Sequence, residues 1–211
     1  MKKYLLYTLF FVALVPSIQA QTELDPRDRL TAGVKAGLNI SNVWDTEGQD
    51  FQADAKVGFA GGVFVGIPIG KYLGVQPEIL ISQKGFQGSG TLLATDYAFS
   101  RTTTYLAVPL LVQLKPSQYF TIVAGPQYAF LMHQKNVFTA GGSTLVQETE
   151  FDNEKIRKNV LGVVGGFDVN VGHIVFAPRA GVDLLNNNGD GTSTTPRYKN
   201  RWIQLTLGVR I

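Results

Sequence analysis

The chain has 211 residues, 45% of them hydrophobic and 11% aromatic, with 23 Gly, 9 Pro and no Cys. High Gly beside many β-branched and aromatic residues favours short strands and tight turns over helices, and the lack of Cys excludes a disulfide framework or lipid attachment through Cys. The formal net charge is +3 and no basic patch with interleaved aromatics stands out, so nucleic acid is excluded as a partner.

The first twenty residues read as a cleavable signal peptide. Met1-Lys2-Lys3 is a charged start, Tyr4 to Val15 is apolar, and Pro16-Ser17-Ile18-Gln19-Ala20 is a breaker with a small residue at the cut. The apolar run of about a dozen residues is shorter than the roughly 20 a membrane-spanning helix needs. Cleavage after Ala20 removes Lys2 and Lys3 and leaves 17 of the 19 basic residues against 16 acidic ones, close to neutral. Residues 21–30, with Asp25, Pro26, Arg27, Asp28 and Arg29, form a polar periplasmic leader ahead of the domain at 31–211.

Eight period-two segments follow. The first, Thr31 to Ile40, sets Val34, Ala36, Leu38 and Ile40 against Gly33, Lys35, Gly37 and Asn39. The second, Lys56 to Ile69, sets Val57, Phe59, Val63, Val65 and Ile67 against Lys56, Gly58 and Gly62. In the third, Leu73 to Lys84, Val75, Ile79 and Ile81 oppose Gln76, Glu78, Ser82 and Lys84. In the fourth, Arg101 to Leu114, Leu106, Val108, Leu110 and Val112 oppose Tyr105, Ala107 and Gln113. The fifth spans Tyr119 to His133, the sixth Lys158 to Val171 and the seventh His173 to Leu185. The eighth, Arg201 to Ile211, alternates most cleanly, with Ile203, Leu205, Leu207, Val209 and Ile211 against Gln204, Thr206, Gly208 and Arg210.

Very short links (Gly70-Lys71-Tyr72, Lys115 to Gln118, Gly172) alternate with long polar ones at 41–55, 85–100, 134–157 and 186–200. Short turns on one side and long loops on the other are the layout of an outer-membrane barrel. The polar face is poor in long charges and rich in Gly, Ala, Thr, Gln and Asn, which suits a crowded interior, while the opposite face is Leu, Ile, Val and Phe. The expected fold is therefore all-β, an eight-stranded antiparallel up-and-down barrel in the outer membrane. A closed cylinder is required because an open edge in lipid leaves backbone groups unpaired, at several kcal/mol each.

Lys35, Lys56, Glu78, Asp168, Arg179, Asp183 and Arg210 are expected to point inward and pair across the lumen, plugging it. Pro77, Pro109, Pro126 and Pro178 inside strands call for bulges at some of these sites. Interfacial girdles are expected from Tyr72, Tyr119 and Phe120 at the turn side, and from Phe86, Tyr97, Tyr105, Phe130 and Trp202 at the loop side.

Three motifs carry bland readings. Gly66 to Tyr72 lacks the spacing and hydroxyl of a phosphate loop. Asn186, Asn188 and Asp190 match the first half of a calcium loop, but its twelfth position is Arg197 instead of Glu. A hydrolytic set of His133, Ser143 and Glu148 has no strained nucleophile turn behind it. No catalytic, cofactor or metal site is expected.

Several segments together resemble the PorT-like, or outer membrane protein β-barrel domain, family of Bacteroidetes-type bacteria. They are Gly33-Val34-Lys35-Ala36-Gly37-Leu38-Asn39, Val75 to Gly85 (VQPEILISQKG), Tyr105 to Leu111 (YLAVPLL), Ala124-Gly125-Pro126 and the terminal Leu207-Gly208-Val209-Arg210-Ile211. The resemblance implies an outer-membrane location and the surrounding lipid as partner. Through the last strand it implies recognition by the barrel-assembly machinery. It implies no common catalytic activity. The reading is thus a non-enzymatic surface or interaction protein, or an accessory to an envelope protein machine. A small passive channel is the alternative, and a lipid-modifying enzyme a more distant one.

Overall fold

The computed structural model of the protein describes residues 25–45, 53–92, 95–150, 158–187 and 198–211, so the signal-peptide expectation at 1–20 lies outside it. A short 3-10 turn, Pro26–Asp28, precedes nine strands: β1 Thr31–Asp45, β2 Asp54–Pro68, β3 Leu73–Leu92, β4 Thr95–Ser117, β5 Phe120–Ala140, β6 Ser143–Glu150, β7 Asn159–Val171, β8 Ile174–Asp183 and β9 Tyr198–Arg210.

All pairings are antiparallel, and eight of the strands follow one another as a meander. β1 pairs with both β2 and β9, and β4 with both β3 and β5, so each of these eight strands has two neighbours and the sheet returns on itself. Within the described residues β6 pairs with β5 alone and stands outside that ring.

Two stretches expected to be loops are hairpins. β3 and β4 remain paired from Leu73↔Leu114 up to Leu92↔Thr95, which takes in most of 85–100. β5 continues past His133 to Ala140 and turns through Gly141 and Gly142, at φ of +55° and +81°, into β6. Two consecutive positive φ values are the requirement of a two-residue hairpin turn matched to strand twist, and Gly supplies both without steric cost. The apolar alternation that betrays a strand against lipid fades here, because both faces of these extensions lie beyond the apolar belt described below.

The four prolines sit in register without bulges. Pro77 pairs with Leu110 and the register resumes unshifted at Leu80↔Ala107; Pro109 pairs with Gln127 and resumes at Val112↔Ala124. The missing N–H donors are absorbed by skipping two ladder pairs, which needs no extra residue. The register shifts lie elsewhere, between Ala55 and Ala60, at Thr104/Tyr105 and at Leu114/Ser117.

Glycine permits the close approach of neighbouring strands to β1 and β2. A Cβ on Gly37 would lie 1.9 Å from the Leu205 carbonyl oxygen, and one on Gly62 2.0 Å from that of Ile79.

Candidate functional site: an apolar belt around a polar lumen

The burial pattern runs opposite to that of a soluble sheet protein. Along β4, Val108, Leu110, Val112 and Leu114 are exposed, while Tyr105, Ala107, Leu111, Gln113 and Lys115 between them are buried. Along β9, Leu207 is 61% exposed and its neighbour Thr206 is 1% exposed. β1 repeats this, with exposed Val34, Leu38 and Ile40 beside buried Lys35 and Asn39. An apolar surface running round the whole ring far exceeds the few hundred Å² a water-soluble monomer exposes.

The belt has edges. On β4 the outward residues are Leu114, Val112, Leu110, Val108 and Leu106, then Thr104, Thr102 and Ser100. On β3 they are Leu73, Val75, Pro77, Ile79 and Ile81, then Gln83; on β9 they run from Ile211 to Ile203, then Arg201. The apolar run is nine residues long on each, the low end of the roughly 9–11 a tilted strand uses to cross a bilayer. Tyr72, Tyr119 and Phe120 are exposed at the turn edge. Phe86, Tyr105 and Trp202 are instead buried inside, so they belong to the lumen and not to the girdle. Strand parity explains this, since Trp202 shares its face with Gln204 and Thr206.

The lumen holds two polar clusters. Nearer the short turns, Lys35 Nζ lies 2.6 Å from Glu78 Oε2, and Arg179 Nη2 lies 2.6 Å from Asp168 Oδ1 and 3.8 Å from Glu78 Oε1. Gln76 donates to Glu78 Oε1 at 2.7 Å and accepts from Gln113; Arg179 Nη1 donates to the Phe167 carbonyl at 2.7 Å. Nearer the loops, Lys84 Nζ lies 3.0 Å from Asp183 Oδ1, whose other oxygen accepts from Asn200 at 2.6 Å. The Lys84 ammonium stands 3.3 Å over the Trp202 ring and 5.4 Å from that of Tyr105. Lys35, Lys84 and Arg179 face Glu78, Asp168 and Asp183, so the formal charges of these six buried groups cancel.

Of the seven residues expected inside, Lys35, Glu78, Asp168 and Arg179 form one network. Asp183 belongs to the second, with Lys84, whose place on the polar face of β3 was legible but whose pairing was not. Lys56 does not point inward as expected: its ammonium is hydrogen-bonded to the outward-facing Ser100 and Thr102 hydroxyls on β4, beside the register shift between Ala55 and Ala60 that breaks the alternation of β2. Arg210 is only half-buried, at the turn end, where its carbonyl oxygen contacts His173 Nδ1 at 3.0 Å.

Both ends of the lumen are covered. At the loop end Phe86 packs on Tyr198 and Phe99, with ring centroids 5.3 and 5.8 Å apart, and Arg101 donates to Asn136 Oδ1 at 2.8 Å and to the Tyr198 hydroxyl. At the turn end the leader lies across the mouth. Arg27 donates to Pro116 O at 3.3 Å, Lys115 donates to the Arg27 carbonyl, and Asp25 lies 3.1 Å from Lys71. Asp25 also accepts from the Arg27 backbone and side chain, and these bonds hold its carboxyl far below the usual carboxylate range. Beneath the leader is a polar cavity of about 30 Å³, bounded by Gln76, Gln113, Thr121, Asp168 and Arg210.

The remaining motifs do not assemble. His133 is the register partner of Glu150 and Ser143 that of Ala140, seven residues further along the hairpin, roughly 24 Å away. That separation rules out a shared proton between them. Lys71 of the phosphate-loop-like segment pairs with Asp25. Asn188 and Asp190 of the calcium-like motif, and the side chain of Glu148, lie outside the described residues.

The Outer membrane protein beta-barrel domain family matches the chain over residues 19–184. No curated protein matches. Similar solved structures include Ail, the attachment invasion locus protein of Yersinia pestis, at 14% identity and TM-score 0.48, covering 86% of this chain and 98% of that one. Neisserial surface protein A is 11% identical with TM-score 0.48, covering 84% and 96%. OprG from Pseudomonas aeruginosa is 12% identical with TM-score 0.39, covering 88% and 97%.

Proposed function

Since the chain belongs to the outer membrane protein beta-barrel domain family, we propose that the ring of eight strands is a closed up-and-down barrel spanning the outer membrane, with β5 and β6 forming an extra hairpin outside the cell. The protein resides in the outer membrane as a non-enzymatic barrel. In this reading residues 1–20 are the removed signal peptide, residues 21–30 the periplasmic leader, and β9 the strand offered to the assembly machinery. The segments quoted from β1, β3, β4, β5 and β9 favour the PorT-like branch of Bacteroidetes-type bacteria within the family.

The protein's task in this reading is to hold the β3–β4 and β5–β6 hairpins at the cell surface, as an interaction protein or an accessory to an envelope machine. One observation carries this reading over a channel: the lumen is filled by two ion-pair clusters of zero net charge. A conducting path needs a wet, continuous lumen, and here Lys35, Glu78, Arg179, Asp168, Lys84 and Asp183 consume one another's charge. Conductance of the mature chain in planar bilayers tests it. A closed trace at moderate voltage is expected; steady single-channel steps would establish the pore instead.

A further inference from the structure

Immediately above the apolar belt, β1 and β9 present three outward residues. Trp44 is the register partner of Lys199, and Arg201, two residues along β9, is the partner of Asn42. The same face continues downward as Ile203, Leu205 and Leu207, all exposed, while Asn200, between the two cations, and Trp202, after Arg201, are buried inside. Trp44 is exposed, as is Arg201. Neither Lys199 nor Arg201 has a hydrogen-bond or ion-pair partner among the described residues, although every other polar group on that stretch of β9 is engaged: Asn200 with Asp183, Tyr198 with Arg101.

We propose that Trp44, Lys199 and Arg201 form a docking site for the phosphate-bearing headgroup of an outer-leaflet lipid. The site deepens the membrane reading above and rests on it. Same-face residues two apart on a strand are roughly 7 Å apart, so the two cations bracket one phosphate. The guanidinium fork of Arg201 takes two phosphate oxygens and the Lys199 ammonium supplies a mobile point charge. An indole settles at headgroup depth because one end is apolar and the other carries an N–H. The position of the group is fixed by Ile203, the last apolar outward residue of β9: anything directly above it meets the headgroup layer. The neighbouring indole and the alignment over the belt distinguish this trio from solvated rim charges, which require neither.

The test folds the full mature chain into phosphatidylcholine vesicles with and without lipid A, extracts it in mild detergent, and counts retained lipids by native mass spectrometry. The wild type is expected to retain lipid A in preference to phosphatidylcholine. Two surface charges at about 1 kcal/mol each predict a roughly 30-fold weaker retention for Lys199→Gln/Arg201→Gln. Lys71→Gln at the opposite end should leave retention unchanged, and Arg201→Lys, which keeps charge but loses the fork, should fall between. Equal retention by the folded double variant overturns the site, as does complete displacement of lipid A by inorganic phosphate. Failure of the wild-type chain to fold into vesicles at all would instead count against the membrane reading.

Discussion

Replacing Asp183 with Asn strands a charge that has nowhere to go. The Lys84 side chain is 0% exposed and that of Asp183 1%, with 3.0 Å between ammonium and carboxylate. Breaking a buried pair by removing one partner costs about 3–5 kcal/mol. The Trp202 and Tyr105 rings remain over the ammonium and retain a cation–π attraction of about 2 kcal/mol, which places the expected loss near the bottom of that range, about 3 kcal/mol. Asn preserves the acceptor for Asn200, so the change isolates the charge. Lys84→Met alone leaves the Asp183 carboxylate buried and is expected to cost a similar amount. The double variant carries neither charge and should be close to wild type, since replacing a whole buried pair by well-packed neutral groups is often neutral. Urea unfolding in vesicles, followed by tryptophan emission, gives the cycle. A coupling energy of about 6 kcal/mol, the sum of the two single losses, is expected. Additive losses would refute the claim that these two side chains neutralise one another in the lumen.

Leu110→Arg, at a 54% exposed position in the middle of the belt, should destabilise the folded barrel by about 2–4 kcal/mol, whereas Thr104→Arg, above the belt edge, should cost less than about 1 kcal/mol in the same vesicle titration. Gly37→Ala should impair folding, because its Cβ would meet a backbone oxygen at 1.9 Å; Gly165→Ala, whose Cβ would meet nothing closer than 3.6 Å, should fold normally by heat-modifiable gel migration. The leader is expected to detach in acid. The Asp25 carboxyl is held below its unfolded value, so its contribution is full above the ordinary carboxylate range near pH 4 and is lost as pH falls through the depressed value. Trypsin cleavage after Arg27 should therefore be slow at neutral pH in the wild type and fast in Asp25→Asn.

The wall of the barrel was legible because lipid outside and a crowded lumen inside impose opposite chemistry on alternate residues, as along Ile203 to Ile211. The hairpin extensions were not, because Gly88, Ser89 and Gly90 on β3 and Thr102 and Ser100 on β4 lie beyond that constraint. Lys35 and Glu78 could be assigned to the interior by parity, but their mutual pairing depends on the register between β1, β2 and β3, which one chain's alternation does not encode. Parity also carried the place of Trp202, Tyr105 and Phe86; counting aromatics near strand ends obscured it. Trp44, Lys199 and Arg201 fell in stretches read as loop or loop edge, and only the β1–β9 register sets them side by side.

The chain contains no cysteine, so single cysteines can be placed at will and spin-labelled. Labels at Val108, Leu110, Leu205 and Leu207 in reconstituted vesicles should show high collision rates with oxygen and low rates with a water-soluble nickel chelate, and labels at Ser100 and Thr102 the reverse. If the labels at Leu110 and Leu207 met the nickel chelate as readily as those at Ser100, water and not hydrocarbon would cover the belt, and the account of this fold would be wrong.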